Sequence, residues 1–120
     1  MNFEELESYI MSKPNITFDY PFDEKVRVYR IGEKIFALTE ETSPLWINLK
    51  CDPIYALELR SLYKGITAGY HMSKKHWNTV TAESSDVDEE TIKELIDHSF
   101  DLVFESLTKL HLNWLQKASL

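Results

Sequence analysis

The sequence predicts a single α+β domain spanning residues 1–120, an antiparallel β-sheet packed against N- and C-terminal helices in the order α-βββ-α-β-α. Three observations carry that prediction. Both ends hold apolar residues at helical spacing, the stretch from residue 26 to 50 switches to a period of two, and Asp52-Pro53 opens a helix before the last strand.

The elements follow in order. Residues 3–11 form an amphipathic helix, with Phe3, Leu6, Ile10 and Tyr9 on one face and Glu4, Glu5 and Glu7 on the other; Pro14 ends it. Phe18 to Phe22 contains Pro21 and reads as a packed loop. Val26–Ile31 and Lys34–Leu38 flank Gly32-Glu33, and a glycine in the first turn position fits a type II′ hairpin. A third strand covers Leu45–Lys50. Its alternation puts Leu45, Ile47 and Leu49 on a buried face and Trp46, Asn48 and Lys50 on a face at least partly open. Asp52 is the expected N-cap and Pro53 the first residue of a helix to about Tyr63, burying Ala56, Leu59 and Leu62 or Tyr63, with Gly65 after its end. Residues 65–75 read as a loop and Trp77–Thr81 as the fourth strand. The last helix is expected to begin near Asp86–Asp88, Asp86 and Glu89 forming a capping box, and to hold its period from Ile92 to Leu107; Leu110, Trp114 and Leu115 could extend it as an apolar tail over 110–120.

Composition narrows the function classes. The 13 Lys+Arg against 20 Asp+Glu give a net charge of −7, which argues against coating nucleic acid by bulk charge. One cysteine, Cys51, permits no internal disulfide and suits a reducing cytoplasm. No apolar run is long enough for a membrane span, and the acidic N-terminus gives no signal-peptide pattern. The charge is unevenly spread, however. Between Glu58 and Glu83 there is no acid, while Arg60, Lys64, Lys74 and Lys75 are basic and His71 and His76 lie nearby. Residues 83–120 hold nine acids against three bases. An anionic partner would therefore meet residues 60–80.

The residues of that segment admit plainer readings too. Lys74 and Lys75 could contact phosphates or simply solvate a turn. Four cations on phosphates would give a salt slope of only about −3.6, so such binding would be weak and salt-sensitive. Trp77 could stack on a base but is better read as core; Trp46 is the better candidate for an exposed ring. His71, His76 and Cys51 make a conceivable zinc triad that no second cysteine or nearby carboxylate supports, and imidazoles bracing a loop are the simpler reading. Cys51 at a helix start invites a nucleophile reading, but no histidine adjoins it. Gly-rich phosphate loops, Gly-x-Ser-x-Gly and paired-carboxylate motifs are absent, so neither an enzyme nor a cofactor is expected.

His71-Met72-Ser73-Lys74-Lys75-His76-Trp77-Asn78-Thr79-Val80 resembles the signature loop of the YjbR/MmcQ family. Lys13-Pro14, the Phe18–Phe22 link, Val26-Arg27-Val28, Lys34–Leu38, Leu49–Pro53 and Ser99–Val103 resemble the family's other blocks in order, so the resemblance covers about residues 6–109. Asp88 stands where that family often has proline and Phe100 where tyrosine is usual, and the tail is more apolar than the family pattern. The resemblance implies a fold similar to CyaY/frataxin and a double-wing DNA-binding surface made from β-hairpins. Candidate nucleic-acid contacts are then Arg60, Lys64, His71, Lys74, Lys75, His76, Trp77 and Asn78, with no catalytic or metal residues. The alternative is a protein-interaction or small-ligand module, monomeric or weakly dimeric through the tail.

Overall fold

The computed structural model describes residues 1–70 and 72–118, with side chains as far as Lys109. In chain order the elements are α1 (Phe3–Met11), β1 (Ile16–Asp19), β2 (Val26–Ile31), β3 (Lys34–Glu40), β4 (Trp46–Lys50), α2 (Pro53–Leu62), β5 (Ile66–Ala68), β6 (Trp77–Thr81) and α3 (Glu89–Ala118). The six strands form one antiparallel sheet in the order β1-β2-β3-β4-β6-β5.

Local chemistry sets most of the boundaries. The Asn2 side chain accepts the Glu5 N–H at 2.8 Å while the Glu5 carboxylate accepts the Asn2 N–H at 3.1 Å, a reciprocal capping box for α1. Gly32 sits at φ +60 and Glu33 does not share the positive φ, the pattern of a type II′ turn between β2 and β3. Asp52 caps α2, accepting the N–H groups of Ile54 and Tyr55.

Three expectations need correction. Phe18 belongs to a short strand, β1; Tyr20 packs edge-on against Phe18 and accepts a bond from Arg27, whereas Phe22 is 66% exposed. The pairing of β1 comes from β2's backbone rather than from its own alternation. Residues 66–68 form β5 on the outer edge of β6, within a stretch expected to be loop. At the start of α3 the cap is Asp88, which accepts the Thr91 N–H at 2.7 Å, whereas Asp86 turns away to accept the N–H groups of Lys64 and Gly65. Of the alternatives in α2, Tyr63 packs on the core and Leu62 is exposed.

All three helices lie on one face of the sheet. Leu6 and Ile10 of α1, Ala56 and Leu59 of α2, and Ile92, Ile96 and Val103 of α3 are buried against Tyr29, Phe36, Ile47, Leu49 and Val80. Each such large side chain contributes roughly 1.5–3 kcal/mol by leaving water. Ser99 in the middle of α3, wholly buried, donates to the Phe36 carbonyl and accepts the Lys50 N–H at 3.0 Å, tying helix to sheet. The other face carries a smaller apolar cluster of Val28, Leu38 and Trp77, with Val26, Ile35 and Met72 packed against it. Asn48, expected on the open side, does lie on that face, opposite Leu38 and Thr79, but is 3% exposed because the segment around Tyr70 crosses over it.

Candidate nucleic-acid interface

Within the acid-free segment, Gly69 and residues 73–76, between β5 and β6, are held by backbone bonds. The Gly69 N–H donates to the Trp77 carbonyl at 2.8 Å. The approach is close enough that a Cβ on Gly69 would lie 2.7 Å from the Trp77 Cβ, so only glycine fits. The Ser73 carbonyl accepts N–H bonds from His76 and Trp77, closing a tight turn, and the His76 carbonyl accepts the Cys51 N–H at 2.8 Å. Lys74, Lys75 and His76 on this turn are exposed.

Arg60 holds the turn from the side of α2. Its Nε donates to Asn78 Oδ1 at 2.6 Å, and its Nη2 donates to the Trp77 carbonyl at 3.2 Å and to the Lys74 carbonyl. Asn78 in turn donates to the Ala56 carbonyl of α2 at 3.4 Å. The planar fork of a guanidinium suits this task, since one side chain can satisfy several fixed acceptors.

The structure thus divides the residues expected to share one surface. Lys74, Lys75 and His76 are together and solvent-facing. Asn78 is 2% exposed and Trp77 is 9% exposed, so both lie beneath the surface and offer neither a ring nor an amide to a partner. Arg60 is turned inward onto carbonyls. Lys64 is at the other end of β6, where the Gly65 carbonyl accepts the Thr81 N–H, about four strand residues or 13 Å from the turn, and next to Asp86. His71 lies outside the described residues, as do the side chains of the tail from Leu110 onward. Lys50, which the sequence reading passed over, pairs with Trp77 across β4 and β6 and so stands on the same face beside the turn. Only the non-local register reveals this.

The β2–β3 hairpin is not a free wing. Its tip rests on α3, where a Cβ on Gly32 would lie 3.8 Å from Leu107 Cδ1 and Lys34 Nζ donates to Ser106. Arg30 is engaged by Asp19 and by the Glu33 carbonyl.

The cysteine beside the turn is not activated for covalent chemistry. Cys51 is 4% exposed, and burial, followed by the nearby Asp52 charge, pushes its thiol up to about 11, so it is protonated at neutral pH. His98 accepts the Asp52 N–H at 3.1 Å and meets the Tyr55 ring edge-on, a bracing role. Among the described residues no three His, Cys, Asp or Glu side chains gather in a way that could hold a metal ion, and no helix is long and apolar enough to cross a membrane.

Comparison with known proteins adds the following. A family model described as YjbR matches residues 11–102. The uncharacterized protein YbdF of Escherichia coli O157:H7 is 38% identical over 97 residues, covering 80% of this chain and 79% of that protein. The uncharacterized protein YyaQ of Bacillus subtilis (strain 168) is 43% identical over 56 residues, covering 47% and 46%. Among solved structures, the Deinococcus radiodurans protein DR2400, a DUF419 domain, superposes with a TM-score of 0.80 at 35% identity over 85% of this chain and 78% of that one. A crystal structure of a Pseudomonas syringae protein gives 0.74 at 28% identity over 86% and 99%.

Proposed function

The chain belongs to the YjbR family, and from that premise we propose that it is a non-catalytic cytoplasmic module making weak, salt-sensitive contact with DNA through the rim formed by Lys50, Lys74, Lys75 and His76. The observation that carries the proposal is the exposed pair Lys74 and Lys75 on a turn whose backbone is fixed by Arg60. A pre-set turn spends little conformational entropy on meeting a phosphate backbone. No acid lies within residues 59–82 of the sequence, although the exposed Asp52 follows the Cys51 N–H that bonds the His76 carbonyl, and the rest of the chain is acidic. Three lysines on phosphates correspond to a salt slope of about −2.7, or about fortyfold weaker binding at 200 mM than at 50 mM salt.

A titration of labelled duplex DNA at low salt tests this. Binding that falls with salt at about that slope, and that is lost in the Lys74→Ala/Lys75→Ala variant, supports the proposal. Absence of binding, or binding indifferent to both changes, ends it.

A second reading rests on a separate observation. Beside the same turn, Pro53, Ile54 and Leu57 of α2 floor a groove of about 340 Å³ walled by Lys74 and Lys75, and Ile54 and Leu57 are 72% and 63% exposed. An apolar strip edged with cations suits an acidic amphipathic protein segment better than it suits DNA. Leu57→Ser separates the readings, since it weakens the protein contact and leaves DNA binding as it was.

A further inference from the structure

The open face of the sheet holds a cavity unrelated to the basic turn. It is about 580 Å³ in volume, within the range of small-molecule sites. Its floor is the sheet, where Leu38 and Trp46 stand on neighbouring strands, and its walls are two loops, one bringing Phe22 and Asp23, the other Tyr70 and Met72. The lining is thus a set of aromatic and aliphatic surfaces.

Among the described residues, the charged groups in this cavity are of one sign: Asp23 and Glu40 line it, and no lysine or arginine does. Asp23 accepts the N–H groups of Lys25 and Val26, both on Oδ1, which leaves its second oxygen available to a ligand. Those backbone bonds, Val26 first, hold its carboxyl below the usual carboxylate range and keep it charged at neutral pH. Asn48, the remaining polar group used here, is already committed to the Tyr70 carbonyl and to Thr79. Lys25 and Arg27, the cations nearest Asp23 in sequence, both border a different depression; Arg27 is paired with Glu7 there, and the charge of Lys25 adds to the backbone bonds in favouring the Asp23 carboxylate without entering the cavity.

Rings beside carboxylates attract cations in two ways. The electron-rich ring faces draw an ammonium group, and the carboxylates compensate its charge once water is displaced. An anion would meet Asp23 and Glu40 as like charges, and a neutral ligand would leave them desolvated without a partner. We propose that this groove binds a small organic cation, a free amine whose ammonium group is carried on an aromatic or apolar body. The body lies against Trp46, Leu38 and Met72, and the ammonium group lies between Asp23 and Glu40.

The test is a two-dimensional NMR titration of the full chain with tryptamine, with neutral indole-3-ethanol and anionic indole-3-propionate as matched probes. The Trp46 indole N–H is assigned from the Trp46→Phe variant. Tryptamine is expected to shift the Trp46 indole and the Asn48 side-chain amide, saturating at concentrations about tenfold or more below those needed for indole-3-ethanol, with indole-3-propionate silent. Glu40→Gln and Asp23→Asn, the latter keeping the Oδ1 acceptor that orders residues 25 and 26, are each expected to weaken tryptamine binding by about fivefold to tenfold with the spectrum otherwise intact. Equal binding of indole-3-ethanol, shifts that fall outside the groove, no shift at all, or indifference to both carboxamide variants would overturn the proposal.

Discussion

Replacing Arg60 by methionine distinguishes a clamp from a phosphate contact. Methionine keeps the aliphatic stem of arginine but removes the fork that reaches Asn78 Oδ1 at 2.6 Å and the Trp77 carbonyl at 3.2 Å. Asn78 is 2% exposed, so its oxygen cannot turn to water once the guanidinium is gone. Orphaning such an acceptor costs about 1–3 kcal/mol, and bonds from a charged donor lie toward the upper part of that range. The Lys74 carbonyl, on an exposed turn, recovers water and adds little. The expected loss for Arg60→Met is therefore about 2–4 kcal/mol, which for a domain of this size corresponds to a melting point lower by about 8–15 °C. Denaturant unfolding followed by tryptophan fluorescence measures it, with DNA titrations run on the same samples. A clamp predicts this destabilisation and a salt slope changed by less than one, because Arg60 itself meets no phosphate. A loss of stability below about 1 kcal/mol together with a slope smaller by a full unit would refute the assignment and make Arg60 a direct contact.

Other expectations are independent of any ligand. Ser99→Ala removes the partner of both the Phe36 carbonyl and the Lys50 N–H in a wholly buried site, and should cost about 2–4 kcal/mol by thermal denaturation. Gly69→Ala forces a Cβ to within 2.7 Å of Trp77 and should destabilise by about 2 kcal/mol or more, with amide shifts centred on residues 68–78; a silent substitution would contradict the close approach. Cys51, buried with its thiol held near 11, should stay inert to aromatic disulfide reagents until the protein unfolds. Tyr29 is pushed up to about 12 by burial, and Tyr9 to about 12 by burial and by its bond to Asp97. The folded chain keeps these protons longer than the unfolded chain, so stability is complete below the ordinary tyrosine pKa of about 10 and falls as pH rises toward 12. Tyrosinate absorbance during an alkaline titration should accordingly show a late-titrating class among the six tyrosines.

What could be read in the sequence divides along a physical line. Features fixed by neighbours in the chain were legible: the Gly32 turn, the Asp52 cap with Pro53, and the alternation of Leu45, Ile47 and Leu49. Features supplied by distant backbone were not. β1 and β5 are strands because β2 and β6 offer them hydrogen bonds, and four and three residues are too few to show a period. The same limit applies to the site. That Lys74 and Lys75 belong to a turn followed from composition, but Arg60 and Asn78 were grouped with them as surface contacts, although a buried amide and an exposed one are spelled alike. Lys64 was close in sequence and proved distant across β6, while Lys50 was distant in sequence and proved adjacent. Asp86 illustrates the point for capping, since its carboxylate answers two N–H groups more than twenty residues away in preference to its own helix.

The two margins of the sheet have a further consequence. Its outermost strands are the shortest on their sides, β1 with four residues bearing Asp19 and β5 with three. Unpaired backbone at such a margin is a template on which a neighbouring molecule can add a strand, and a long apolar margin is the usual start of fibrillar aggregation. Here the free backbone is too brief to seat a stranger's strand, and the longest strand, β3 with seven residues, is shielded by partners on both sides. Margins this short disfavour stacking through sheet extension when the molecule is crowded.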